Sequence, residues 1–191
     1  MAKDTKQIII HTLLKLAVEG GKLNIEELSK QSGITRNAIQ KNFNNRGISG
    51  IVDYINLGIL TEINDELFKH SASDTPLEIF ADVWLGVLWS HHEELQILIK
   101  SDLPFSPLQL TAEASYSWLQ ERYEFLVKEH HLSPIISAKD LAIFWNSFLI
   151  SMLILWLNSD NPAEPNLFRP KFLYLMKTSM YNLMYKGIGN P

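Results

Sequence analysis

Apolar residues recur every three or four positions along most of the chain, and no segment alternates as an amphipathic strand does. The first apolar stripe runs from Lys6 to Glu19 and ends at Gly20-Gly21, residues that stop a helix. Between residues 24 and 43 the pattern predicts two short helices. Further helices are predicted at residues 46–69, 77–100, 111–130, 141–157 and 167–185, with a short turn at 108–110. We therefore expect an all-α fold of about nine helices.

The stretch NIEELSKQSGITRNAIQKNF, residues 24–43, predicts two short helices folded about a glycine turn. Asn24 is expected to cap the first helix, with Glu27 returning a hydrogen bond as in a capping box. Gly33 suits a turn with positive φ, and Thr35 can cap the second helix. The apolar side of the pair can pack on the preceding helix through Ile25, Leu28, Ile34 and Ile39.

The second of these short helices has an exposed side rich in hydrogen-bonding groups. This side carries positive charge and no carboxylate, and it consists of Arg36, Asn37, Gln40, Lys41 and Asn42. Arginine can bond guanine, asparagine and glutamine can bond adenine, and lysine can bond phosphate. The pattern therefore favours a DNA-binding helix. An ordinary helical hairpin with a solvated polar face is the alternative.

Charge is distributed unevenly along the 191 residues. The whole chain has a net charge of −4, whereas residues 1–50 carry eight basic and four acidic residues, a net charge of +4. Residues 51–191 therefore carry a net charge of −8. A basic first quarter on an acidic body indicates that the N-terminal end meets phosphates.

Composition excludes several other classes of protein. Hydrophobic residues make up 46% of the chain and charged residues 20%, as in soluble globular proteins. The chain has no cysteine, which excludes disulfides and thiolate chemistry. The first ten residues, MAKDTKQIII, lack the features of a secretory signal, so a cytoplasmic location is expected.

The predicted helix at 46–69 is long enough, at about 35 Å, to connect a small N-terminal domain to a larger body. We therefore expect a DNA-binding domain at residues 1–46 and a helical effector-binding and dimerisation domain at 47–191.

The last two predicted helices have unusually large apolar surfaces. Residues 141–157 are apolar on nearly every face, and residues 167–185 carry the stripe Phe172, Leu175, Met176, Ser179, Met180 and Leu183. A span of 17 residues is short for a bilayer, and Asp140 and Asp160 lie just outside its ends, so we expect no membrane association. We expect instead a homodimer through the helices at about 138–158 and 167–185.

A basic three-helix N-terminal unit, a long connecting helix, an acidic all-α body and two apolar C-terminal helices together resemble the TetR family of transcriptional regulators. The residues that carry the resemblance are Asn24-Ile25, Leu28-Ser29, Gly33-Ile34-Thr35, Ile39, Phe43 and Arg46, after an apolar first helix. The resemblance implies that the second and third helices contact operator DNA, that the larger domain binds a small-molecule effector, and that the last two helices form the homodimer.

The resemblance also implies roles for individual residues. Asn24, Thr35 and Arg46 resemble phosphate-contacting positions, and Arg36, Asn37 and Lys41 resemble recognition-helix positions. The chain departs from the family where a tyrosine usually precedes the phenylalanine, because it has Gln40-Lys41-Asn42 there. Gln40 can still reach a phosphate or an adenine edge. The expected DNA-binding set is therefore Asn24, Thr35, Arg36, Asn37, Gln40, Lys41, Asn42 and Arg46.

Aromatic and polar residues in the body suggest a ligand cavity between helices. The candidate ligand-binding residues are Trp84, His91, Trp118 and Asn146. A packed aromatic core is the alternative interpretation.

The sequence HHEE at residues 91–94 invites a metal-site interpretation. Neighbouring residues on a helix point about 100° apart, however, so at most one of the two histidines can face the interior. We expect His91 to face the cavity and His92 and Glu93 to be solvated. No metal-ligand spacing, phosphate-binding loop or nucleophile motif occurs, so we expect no metal, no cofactor and no enzymatic activity.

These features predict a TetR-like transcriptional regulator, expected to be a repressor. It would bind a palindromic operator as a homodimer and be released by a small apolar or aromatic effector. The alternative is a dimeric DNA-binding protein without a small-molecule effector, controlled by a protein partner.

Overall fold

The computed structural model describes residues 2–70, 76–105, 114–131 and 133–178, with the backbone alone at residues 2–4 and 114–118. Within these ranges the chain forms nine α-helices and no β-strand, which confirms the predicted all-α class. The helices are α1 (Ala2–Val18), α2 (Ile25–Ser32), α3 (Arg36–Asn42), α4 (Gly47–Leu67), α5 (Leu77–Ser90), α6 (His92–Lys100), α7 (Ala114–Glu129), α8 (Ala138–Leu157) and α9 (Pro165–Lys177).

The first three helices pack together in sequence order, α1 on α2 and α2 on α3. Helix α1 contributes the fully buried Ile9 and Leu13 and leads into Gly20, whose φ is +68°. Leu28 of α2 and Ile39 of α3 are also fully buried, because each short helix turns one apolar side toward α1. Helix α1 is therefore the preceding helix on which the pair α2 and α3 was predicted to pack.

Helix α4 has 21 residues and a length of about 31 Å, slightly less than predicted. It joins the first three helices to the body, where it packs against α5 and α7. Its first turn lies very close to the end of α3. A Cβ atom built on Gly50 would come within 2.5 Å of the Phe43 carbonyl oxygen and 2.9 Å of Arg46 Cβ. Only glycine allows this close approach of the two helices.

The helix predicted at residues 77–100 is wrong as a single element, because the chain breaks it at His91. His91 has φ −113° and ψ 15°, which ends α5 and precedes α6. No glycine or proline marks the break, and the His91 ring at this point contacts Glu62 of α4. Helix α5 begins at Leu77 as predicted, directly after Pro76. The predicted turn at 108–110 lies outside the described residues.

Helix α8 packs against α6 and α7. It has 20 residues instead of the predicted 17, because it begins at Ala138 after a Ser137 cap and includes Asp140 in its first turn. The length argument against a membrane span is therefore wrong. Among the described residues α8 is the one helix long and apolar enough to cross a membrane, with mean hydropathy 1.7 and 44% of its most apolar window buried in the protein. Core helices meet the same criterion, so this is weak evidence for a span.

Helix α9 packs against α5, and the contact corrects the predicted interface. Phe172 is fully buried within the protomer, and its ring stacks on Trp84 with centroids 5.3 Å apart. Leu175 and Met176 also pack against the core. Phe172 therefore belongs to the core of one chain, whereas Leu175 and Met176 are only half-buried. Ser179, Met180 and Leu183 lie outside the described residues.

Candidate functional site

The turn between α2 and α3 is fixed by local hydrogen bonds. Asn24 Oδ1 accepts from the Glu27 N–H at 2.8 Å, and Thr35 Oγ1 accepts from the Ala38 N–H at 3.3 Å. Gly33 has φ +70°, and its N–H donates to the Ser29 carbonyl at 3.1 Å. Both caps and the left-handed glycine are therefore as predicted.

The reciprocal half of the predicted capping box is absent. The Glu27 carboxylate accepts from Gln31 Nε2 at 2.7 Å, and the Asn24 N–H donates to the Lys22 carbonyl instead. A second bond joins the turn to α2, since the Ser29 hydroxyl donates to the Ile34 carbonyl at 2.7 Å. The relative direction of α2 and α3 is thus held from both ends of the turn.

Fewer side chains are exposed on the outer side of α3 than predicted. Arg36, Asn37 and Lys41 are exposed, whereas Gln40 and Asn42 are half-buried. Asn42 Nδ2 donates to the Ala38 carbonyl at 2.8 Å, which folds this side chain back on its own helix. Gln40 Oε1 is buried and has no hydrogen-bond partner among the described residues. The prediction that both residues are exposed is therefore wrong.

A carboxylate lies beside the exposed side of α3, although α3 itself has none. Arg36 Nη2 donates to Glu26 Oε1 of α2 at 2.9 Å, and the two side chains are 61% and 74% exposed. Ten residues separate the partners in the sequence, so helical periodicity gave no sign of the pair. The pair engages one of the five N–H donors of Arg36 and holds its guanidinium beside α2.

Two further cations lie near the junction of α3 and α4. Arg46 Nη1 is 2.6 Å from Asp53 Oδ2, and the ion pair is not aligned as a hydrogen bond. Lys6 of α1 lies over Tyr54, with its Nζ 4.0 Å from the ring centroid. Both cations border a small cavity of about 200 Å³. Sequence reasoning missed Lys6, because only the folded chain brings α1 to this junction.

Among the described residues, Trp84, His91 and Asn146 do not line one common described cavity. Trp84 and Asn146 are buried, and Trp84 stacks in the core on Phe172. The side chain of Trp118 lies outside the described residues. His91 alone of the four lines a described cavity. Trp84 therefore packs in the core among the described residues.

The cavity beside His91 is a groove of about 640 Å³ between α1, α4 and α6. Gln7 and Ile10 contribute from α1, Tyr54 and Leu57 from α4, and Glu94 from α6. His91 Nε2 is 2.8 Å from Glu62 Oε2, and His91 Nδ1 is 3.3 Å from Glu94 Oε2. Only the protonated ring can donate to both carboxylates, because a neutral imidazole has a single N–H. His91 thus faces a groove between helices and not the closed interior.

His92 is half-buried, which corrects the prediction that it is solvated. Its ring stacks on Trp89 with centroids 4.2 Å apart, and Nδ1 lies 2.6 Å from the Trp89 carbonyl oxygen. Glu93 is exposed as predicted. The described residues contain no group of three or more histidine, aspartate or glutamate side chains placed to hold a metal ion.

No protein-family model matches the chain, and no curated protein matches it. The geometry of the described residues therefore has to carry the functional interpretation.

Proposed function

We propose that the protein is a TetR-like transcriptional regulator that binds a palindromic operator as a homodimer, with α2 and α3 as a helix-turn-helix. The main support is the capped and braced turn that presents Arg36, Asn37 and Lys41 on one exposed side of α3. Because the turn fixes the direction of α3, these three side chains can enter a major groove together.

Arg36 is proposed to bond a guanine edge and Asn37 an adenine edge, with Lys41 on a phosphate. The two capping residues retain hydrogen-bond donors, because each cap uses only a side-chain oxygen as acceptor. The Thr35 hydroxyl hydrogen and the Asn24 amide N–H can therefore bond phosphates. Base reading is assigned to fewer residues than the sequence suggested, since Gln40 and Asn42 are half-buried.

The homodimer is proposed to form through the outer side of α8. Four large apolar residues of this helix are exposed, namely Ile143, Phe144, Ile154 and Leu155. Ser147 and Ser151 lie between them on the same side and are exposed, so a second helix can approach closely there. On α9, Leu167 and Tyr174 are 70% and 53% exposed. A second copy of the chain would cover this apolar surface and place two α3 helices in one particle.

Control by a small-molecule effector is the remaining part of the proposal. Helix α4 connects the proposed DNA-binding unit to the body, so a ligand that changes the tilt of α4 changes the separation of the two α3 helices. Bound half-sites lie about 34 Å apart, and a shift of a few ångströms releases one of them. A ligand with a roughly 100-fold preference for the released geometry supplies about 2.7 kcal/mol.

In vitro selection from random double-stranded DNA tests the DNA-binding part directly. We expect an enriched inverted repeat whose affinity falls steeply with salt. Arg36→Ala should cost roughly 1–3 kcal/mol and relax one position in each half-site, because it removes a base contact. Arg46→Ala should weaken binding to all sequences alike. Selection of no inverted repeat by the dimer would refute the proposal.

A further inference from the structure

The groove of about 640 Å³ beside His91 lies where the first three helices meet the body of the protein. Helix α1 packs against α6 there, and α4 supplies most of the residues that line the groove. Cavities of roughly 300–1,000 Å³ are typical of small-molecule sites. The groove is therefore large enough to hold a ligand that touches α1, α4 and α6 together.

The two ends of the groove differ in chemistry. At one end, the large apolar residues Tyr54 and Leu57 of α4 are 39% and 61% exposed. At the other end, the carboxylates of Glu62 and Glu94 both contact the His91 ring. Glu62 follows Tyr54 by eight residues, so the two ends lie about 12 Å apart along α4. A matching ligand carries a polar group at one end of an apolar body.

The carboxylate end of the groove carries a net negative charge at neutral pH, whether or not His91 is protonated. Each carboxylate contacts the ring through its Oε2 atom, which leaves Oε1 as a further acceptor. Among the described residues that line the groove there is no lysine or arginine. Lys6 lies over the Tyr54 ring, but it borders the smaller cavity at the junction of α3 and α4. A cation is therefore the complementary group.

Gly58 leaves the middle of the groove open. It is four residues from both Tyr54 and Glu62, it is exposed, and a Cβ atom built on it meets nothing within 4 Å. An apolar ring can therefore lie against the backbone of α4 at this position. A long side chain at position 58 would occupy the same space.

We propose that this groove binds an organic amine, with its protonated nitrogen at Glu62 and Glu94 and its apolar body across Gly58. The ammonium group donates to the carboxylate oxygens, and the apolar body covers the exposed side chain of Leu57. This inference rests on the effector part of the proposed function, and it gives the effector a chemical class and a place. Because such a ligand contacts α1 and α6 at once, it acts on the joint between the proposed DNA-binding unit and the body.

Isothermal titration calorimetry of the full chain at neutral pH tests the groove with probes of similar shape. The probes are 1-naphthylmethylamine, which is a cation, 1-naphthalenemethanol, which is neutral, and 1-naphthoate, which is an anion. We expect the amine to bind at least about threefold more tightly than the alcohol, and to lose affinity as the salt concentration rises, because its partners are partly exposed carboxylates. The anion should bind more weakly than both.

This comparison uses only the wild-type protein and does not depend on any variant folding. No saturable binding of the amine, equal affinity for the amine and the alcohol, or tighter binding of the anion would each overturn the proposal.

Two substitutions place the amine in the groove. Gly58→Leu fills the middle of the groove and should abolish amine binding, and leucine favours a helix over glycine. Glu94→Gln removes one carboxylate and should weaken amine binding at least about twofold without changing the affinity for the alcohol. Glu93→Gln is the matched control, because Glu93 lies in the same first turn of α6 but does not line this groove. Wild-type amine binding by Gly58→Leu, or equal losses in the two glutamine variants, would overturn the proposal.

Operator binding is measured on the same samples. The amine should lower the affinity of the wild type for the selected operator at least about fivefold, and it should leave the affinity of Gly58→Leu unchanged. A wild type that binds no operator without the amine would count against the proposed function, whereas the calorimetry still decides whether the groove binds the amine. Intact operator binding that the bound amine does not weaken, or no preference for the amine over the alcohol, would overturn this inference alone.

Discussion

The ion pair between Arg36 and Glu26 should limit the affinity for DNA. The pair holds one guanidinium nitrogen of Arg36 2.9 Å from the Glu26 carboxylate, so breaking the pair is part of the cost of turning the whole guanidinium to a base edge. Replacing Glu26 by glutamine leaves the size of the side chain almost unchanged and removes the charge. We therefore expect Glu26→Gln to tighten binding to the selected operator.

The expected gain follows from the exposure of the pair. Both side chains are more than half exposed, at 61% and 74%, and exposed ion pairs contribute roughly 0.2–1 kcal/mol. A homodimer carries two such pairs. Releasing both should therefore lower the Kd by about 2-fold to 30-fold. Removing two negative charges near the DNA phosphates should tighten binding further, and this additional gain in affinity should be larger at low salt.

Glu27→Gln is the matched control. Glu27 lies in the same first turn of α2 and has the same charge, but its carboxylate accepts from Gln31 instead of an α3 residue. Both variants lose the same favourable interaction with the α2 dipole. Fluorescence anisotropy with labelled operator at several salt concentrations compares the two. Equal Kd values for the two variants, or weaker binding by Glu26→Gln, would refute a blocking role for Glu26.

Two further predictions concern the dimer and acid stability. Phe144→Glu should give a monomer of 21.9 kDa by light scattering. Ile135→Glu, at a fully exposed loop position, is the control and should keep the mass of a dimer. A dimer of the Phe144→Glu variant would contradict the assigned interface. The hydrogen bond from Lys177, 2.6 Å away, lowers the pKa of Glu78 from its usual 4.5. The stability contributed by this pair is therefore present above pH 4.5 and is lost as the pH falls through the lowered pKa. Acid titration of unfolding should show a smaller loss in Lys177→Met, and an unchanged profile would argue against the pair.

Local signals in the sequence predicted the caps of α2 and α3 and the turn between them. The caps at Asn24 and Thr35 and the turn at Gly33 depend on residues within a few positions of one another. The sequence itself therefore contains the signals that predict them. The contact of His91 with Glu62 joins residues 29 positions apart, and nothing near His91 in the sequence marks it or the helix break. The same reason explains the missed partner of Arg36.

Periodicity also cannot identify which surface covers an apolar stripe. Phe172 belongs to a genuine stripe of α9, yet α5 of the same chain covers it. On α8, by contrast, the large apolar residues Ile143, Phe144, Ile154 and Leu155 are exposed, although they are as apolar in the sequence as the buried Phe172. Burial within one chain and burial between two chains leave the same pattern, so only the folded structure separates them.

Gly50 lies where the first turn of α4 meets the end of α3. The Cβ of an alanine at this position would lie 2.5 Å from the Phe43 carbonyl oxygen, a backbone atom that cannot move without moving the end of α3. Gly50→Ala should therefore displace α3 relative to α4, lower the Tm and reduce operator affinity at least about tenfold, because misplaced side chains lose base contacts worth roughly 1–3 kcal/mol each.

Gly58→Ala is the control for Gly50→Ala. A Cβ at Gly58 meets nothing within 4 Å, and alanine favours a helix by about 1 kcal/mol over glycine, so this variant should be more stable and bind DNA normally. A tilt of α4 moves the proposed DNA-binding unit with it only if the two pack as closely at Gly50 as the structure shows. If Gly50→Ala binds operator as well as Gly58→Ala does, the contact is not tight enough to transmit a tilt of α4, and effector control through that helix fails with it.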